Sequence, residues 1–161
     1  MYVQQRWILR SVSGVKVKDV AIVYVSGGGN TKEVATLLSS HLDRLGISHD
    51  SYRVGSNEPS PNLSLYRMVL LGSYTIGEGR TPQLMVSFLK SLGYRHDNVA
   101  VFGTGESQWR EYCGAAVRLA LFHGSKYPVL KIEQSPRGSQ EHLVEEWIME
   151  VLENGRIIEE I

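Results

Sequence analysis

Ser26-Gly27-Gly28-Gly29-Asn30-Thr31 decides how this chain is read. The apolar run Val20-Ala21-Ile22-Val23-Tyr24-Val25 precedes it, and a helical pattern over residues 31–45 follows. Strand, glycine-rich turn and helix in that order build an anion site. The backbone N–H groups of the turn are free, and the helix N-terminus adds about half a positive charge. Three consecutive glycines remove every Cβ that would hold a phosphate away from the backbone. Such a run is costly in chain entropy unless something requires it, which sets the phosphate reading above the plain alternative of a tight strand–helix turn. Ser26, Asn30 and Thr31 add side-chain donors.

Bulk properties narrow the classes. A chain of 161 residues forms one domain with a sizeable core. Apolar residues at 42% and charged residues at 21% are those of a globular protein. No apolar run approaches the roughly 20 residues that span a bilayer, so no membrane is expected. Residues 1–18 alternate polar and apolar and lack the apolar centre of a signal peptide; a cytoplasmic monomer is the expectation. With 17 basic and 17 acidic residues the net charge is zero, and no basic face for nucleic acid is indicated. The single cysteine, Cys113, excludes an internal disulfide and a thiolate cluster; it reads as a small buried hydrophobe rather than a redox thiol. His41, His49, His96, His123 and His142 show no metal-ligand spacing.

Outward from the glycine loop, elements alternate. The run 20–25 is apolar throughout, as in a strand covered on both faces. The first helix starts at Asn30, with Glu33 in a capping-box position, and Gly46 stops it. Residues 49–54 form a weaker edge strand and 55–64 a loop. Strands follow at 66–72 and 99–103, and a further one at 127–133. Helices are predicted from Pro82 to about Leu92, over 110–122, and after a Ser139 cap along the stripe Leu143, Val144, Trp147, Ile148, Val151 and Leu152. The acidic end, 153–161, reads as a frayed helix terminus. This order predicts an α/β, three-layer, doubly wound parallel sheet of five strands in the order 2-1-3-4-5. Its ligand then lies at the carboxyl ends of the strands, against loops 26–31, 73–81 and 104–109. Residues 19–161 form the domain, and 1–18 are an extension or an extra edge strand.

Nucleotide loops do not match. Walker A needs Gly-x-x-x-x-Gly-Lys-Ser/Thr, and Lys32 follows Thr31 at the wrong spacing; in the dinucleotide pattern Lys32 stands where the last glycine belongs. The stretch 26–31 instead resembles the FMN phosphate loop of flavodoxins, with Gly28 in place of the usual threonine. Gly105-Glu106-Ser107-Gln108-Trp109-Arg110-Glu111-Tyr112-Cys113-Gly114-Ala115 is similar to the third flavin loop of short-chain flavodoxins. That resemblance implies that Trp109 stacks on the flavin ring and that Glu106 lies near its pyrimidine end. The middle loop, Ser73-Tyr74-Thr75-Ile76-Gly77-Glu78-Gly79-Arg80-Thr81-Pro82, has Ile76 where ordinary flavodoxins carry tryptophan. With Phe88-Leu89 beyond Pro82 it looks more like the NrdI proteins that serve class Ib ribonucleotide reductase. Tyr74 is then the second aromatic near the ring, and Gly77 the flexible peptide near flavin N5.

The resemblance covers about residues 19–153 and implies FMN as the cofactor. Its expected contacts are Ser26, Gly27, Gly28, Gly29, Asn30 and Thr31; Ser73, Tyr74, Thr75, Ile76 and Gly77; and Thr104, Gly105, Glu106, Trp109, Tyr112 and Cys113. No catalytic acid, base or nucleophile and no metal are implied. An NrdI-type protein supports assembly of the dimanganese-tyrosyl cofactor, with the ribonucleotide reductase small subunit as partner. The alternatives are a general electron carrier working with a flavodoxin reductase and several acceptors, and a flavin-free interaction module. The neutral charge favours a dedicated partner over the long-range steering of strongly acidic carriers.

Overall fold

In the computed structural model, which describes residues 18–158, the apolar runs pair into one parallel sheet. The strands are β1 (Lys18–Tyr24), β2 (His49–Arg53), β3 (Tyr66–Tyr74), β4 (Val99–Gly105) and β5 (Leu130–Glu133), in the order β2-β1-β3-β4-β5. The helices are α1 (Asn30–Arg44), α2 (Gln83–Leu92), α3 (Gly114–His123) and α4 (Glu141–Asn154). This is the expected architecture, with β2 at one edge.

The two-residue period of a strand explains the unbroken apolar run of β1. Val20, Ile22 and Tyr24 face a core that also holds Leu38 and Leu42 of α1 and Trp147, Ile148 and Val151 of α4. Ala21, Val23 and Val25 face the other core, with Met85 and Phe88 of α2 and Leu119 of α3. The crossover after β1 therefore covers one face and that after β3 the other. A crevice opens where they part, at the carboxyl ends of β1 and β3.

Close approach fixes two glycines in the sheet. A Cβ on Gly72 would stand 2.1 Å from the Phe102 ring, which is fully buried and meets Trp147 edge-on at 6.3 Å between centroids. A Cβ on Gly103 would lie 2.5 Å from Ala116 Cβ, so α3 lies directly on β4.

Several boundaries differ from the sequence reading. β3 and β4 each run two residues further, taking Ser73, Tyr74, Thr104 and Gly105 out of the loops and into strands; Ser73 pairs with Gly103 and Tyr74 with Thr104. Helix α3 starts at Gly114 rather than 110, because Cys113 takes the left-handed conformation at φ 53°. β5 begins only at Leu130, after Pro128, which has no N–H for a ladder. Ser139 does not cap α4. The Gln140 side chain instead bridges back to β5, accepting from Glu133 N–H at 2.8 Å and donating to Glu133 O at 2.7 Å. Of the end expected to fray, residues 153–158 are packed: Ile157 and Ile158 lie on the α1–α4 core, and Arg67 donates to Arg156 O at 2.8 Å; residues 159–161 lie outside the described residues. The expected N-terminal extension lies outside the described residues except for Lys18, the first residue of β1.

Candidate functional site

Three loops meet at the carboxyl ends of β1, β3 and β4. In the first, Gly29 caps α1 from the left-handed region at φ 103°, a conformation that suits glycine. No capping box forms. Glu33 Oε2 accepts from Ser135 Oγ at 2.6 Å and lies 3.4 Å from Arg137 Nε. Ser26 Oγ takes the capping role, accepting the Lys32 N–H at 3.2 Å; its own O–H proton remains available to a ligand. Gly27 and Gly28 are exposed, and a Cβ on Gly28 or Gly29 would meet nothing within 4 Å. The loop is thus an open cradle of backbone N–H groups at the positive end of a 15-residue helix.

Thr31 is not at the surface of that cradle. It is 1% exposed, and its Oγ1 lies 2.9 Å from Thr104 Oγ1, tying the first turn of α1 to the end of β4. Two of the expected contacts therefore hold each other. Arg53, the last residue of β2, donates from Nη2 to the Ser26 carbonyl at 2.8 Å. Parallel pairing brings it there, since Arg53 stands opposite Tyr24. Its role was legible only through that register.

In the middle loop Tyr74 sets its ring against the first: a Cβ on Gly27 would lie 3.4 Å from Tyr74 Cζ. Ser73 is fully buried and donates to Tyr74 O at 2.7 Å, so its hydroxyl serves the backbone. Thr75 Oγ1 accepts the Ala115 N–H at 3.3 Å and anchors the loop to α3. Beyond it Ile76 and Arg80 exchange two N–H···O bonds of 2.9 Å each, closing a small hairpin with Gly77 at φ 51° and Gly79 at φ 82°. That hairpin lies flush on the third loop: a Cβ on Gly79 would strike Glu111 Oε2 at 2.0 Å, and one on Gly114 would come within 2.7 Å of Gly79 Cα.

The third loop is organised by one carboxylate. Glu106 Oε2 accepts from Trp109 Nε1 and from Gln108 Nε2, both at 2.9 Å, and Trp109 N–H donates to Glu106 O at 3.1 Å. Trp109 is 58% exposed yet held in one orientation. Cys113 is fully buried, its Sγ 3.9 Å from Ile132 O, and burial pushes its thiol up to about 11. Burial also raises Tyr112, with the Cys113 thiol acting in the same direction. The cysteine is a packing group.

Between hairpin and third loop lies a cleft of about 360 Å³, bordered by Thr75, Gly77, Gly105, Glu106, Trp109 and Cys113. The cradle supplies donors for a phosphate; the cleft beside it has glycine on one wall and an indole on another. This donor set fits FMN, a planar ring carrying a phosphate.

Comparison with known proteins agrees with this fold. The model of the flavodoxin family matches residues 22–122, a span that includes all three loops. Probable flavodoxin 2 of Bacillus subtilis (strain 168) is 26% identical over 130 residues, which cover 76% of this chain and 86% of that protein. Probable flavodoxin 1 of the same organism is 28% identical over 128 residues, covering 74% and 80%. Among solved structures, oxidised Flavodoxin 2 from Bacillus cereus superposes with a TM-score of 0.73 at 26% identity, covering 84% of this chain and 99% of that one.

Proposed function

The chain belongs to the flavodoxin family, and we propose that it acts as a general carrier, accepting electrons from a flavodoxin reductase and passing them to several acceptor proteins. It is an FMN-binding electron-transfer protein; the choice of partners is the proposal. The single observation that carries it is the exposed Trp109, pinned by Glu106 at the rim of the cleft. The pinned indole suits a flavodoxin-type third loop, and likeness to two Bacillus subtilis flavodoxins over about three quarters of the chain outweighs the neutral charge that favours a dedicated partner. The same reading takes the domain as residues 19–161, a cytoplasmic monomer; among the described residues no helix is long and apolar enough to cross a membrane.

FMN when bound supplies one- and two-electron chemistry. The chain's residues hold and surround it. The N–H groups of Gly27, Gly28 and Gly29 and the Ser26 hydroxyl take the phosphate, Trp109 covers one face of the ring, and Tyr74 stands by the cradle. Gly77 at φ 51° can turn its peptide towards the cleft without a side chain to move. No residue needs to act as acid, base or nucleophile.

A second reading, the NrdI-type role at the dimanganese site of ribonucleotide reductase, is favoured by one feature. Ile76 stands where a carrier of the ordinary kind has tryptophan, and the Ile76–Arg80 pairing closes a hairpin around two glycines. The test is to load the purified protein with FMN, reduce it with a flavodoxin reductase and offer separate acceptors. Turnover of two or more unrelated acceptors supports the carrier. A stable complex with the reductase small subunit alone, with activity that requires oxygen, supports the second reading.

A further inference from the structure

We propose that Arg53 is the residue by which this site selects a phosphate-bearing flavin. The inference rests on the reading of 26–31 as the phosphate cradle. Arg53 ends the edge strand β2 in register with Tyr24, and its Nη2 donates to the Ser26 carbonyl at 2.8 Å. A trans peptide is planar, with C=O and the following N–H on opposite sides. The guanidinium pulls the Ser26 carbonyl towards the β2 side, and thereby turns the Gly27 N–H the other way. The bond is charge-assisted and sets a geometry that three glycines in a row would not hold alone.

The charge matters as much as the bond. Among the described residues no carboxylate forms an ion pair with Arg53. Arg53 is half-buried beside the loop, whereas the other cation near it in sequence, Lys32, is exposed one residue beyond. Gly28 contributes no hydroxyl. Arg53 thus offsets a missing donor with a positive charge at the back of the cradle, and that charge acts only on a ligand that brings a phosphate. Riboflavin has the same ring without the phosphate and gains nothing from it.

The experiment compares FMN and riboflavin affinities of the wild-type protein, Arg53→Gln and Arg53→Lys by quenching of flavin fluorescence, at low and high salt. Arg53→Gln is expected to weaken FMN on the order of tenfold, to leave riboflavin unchanged, and to flatten the salt dependence of FMN binding. Arg53→Lys keeps the charge, loses the fork, and recovers part of the FMN affinity and the salt dependence. Unchanged FMN affinity in Arg53→Gln, or parallel loss of FMN and riboflavin, overturns the inference and leaves the cofactor reading standing. If Arg53→Gln does not fold, Arg53→Lys decides: a loss confined to FMN supports the inference, and no loss or a parallel loss overturns it. A wild-type protein that binds neither flavin overturns the phosphate-loop reading itself and this inference with it.

Discussion

Gly28→Thr should tighten FMN binding. The position is open: a Cβ there meets nothing within 4 Å, and Gly28, unlike Gly29 at φ 103°, does not sit in the left-handed region. A threonine is therefore accommodated without backbone strain, and its hydroxyl joins a cradle that has only the Ser26 hydroxyl near its entrance. A hydrogen bond to a charged acceptor contributes about 1.5–3 kcal/mol. Ordering the threonine rotamer costs about 0.5–1 kcal/mol of this. The net gain is about 1–2 kcal/mol, a roughly five- to thirtyfold lower dissociation constant. The assay is titration of flavin fluorescence, with Gly28→Ala as the variant that adds carbon but no hydroxyl. Gly28→Ala should bind like wild type and keep its stability, whereas Gly29→Ala, forced to keep φ 103°, should lower the stability of the apoprotein by about 1–2 kcal/mol. Riboflavin should bind Gly28→Thr and wild type alike. Weaker FMN binding by Gly28→Thr, or equal gains for FMN and riboflavin, would refute the placement of the phosphate.

Other perturbations test other links. Gly72→Ala drives a methyl into the buried Phe102 ring, where the built Cβ is 2.1 Å away; stability should fall by about 1–3 kcal/mol in urea unfolding of the apoprotein. Glu106→Leu releases the Trp109 indole, and should shift and broaden its emission while weakening FMN by about three- to tenfold, with Glu106→Gln close to wild type because an acceptor oxygen remains. Burial raises the Cys113 thiol from 9.0 to about 11, so the unfolded chain gives up that proton first as pH rises. The contribution of this group to stability is complete below about pH 9 and is lost as pH passes about 11. The urea midpoint should drop over that window, less steeply in Cys113→Ala, and native Cys113 should resist iodoacetamide at neutral pH.

Fold and loops were legible because buried parallel strands are apolar throughout and glycine-rich turns separate them from helices. What was misread depended on distant partners. Ser73, Tyr74, Thr104 and Gly105 look like loop residues by composition, yet register with each other extends both strands. Asn30 and Glu33 have the spacing of a capping box, but Glu33 turns to Ser135, 102 residues away, and Ser26 caps from six residues before Lys32. Cys113 gave no local sign of the left-handed conformation that delays α3. Thr31 and Thr104, each read as a ligand contact, spend their hydroxyls on one another. Arg53 lay in a weak edge strand with no motif, and only pairing to β1 brings it to the Ser26 carbonyl.

The most direct test is the visible spectrum of the purified protein titrated with FMN. A perturbed flavin band with quenched fluorescence, saturating at one FMN per chain, is the result the three-loop site predicts. A spectrum that stays that of free FMN at every ratio would contradict it.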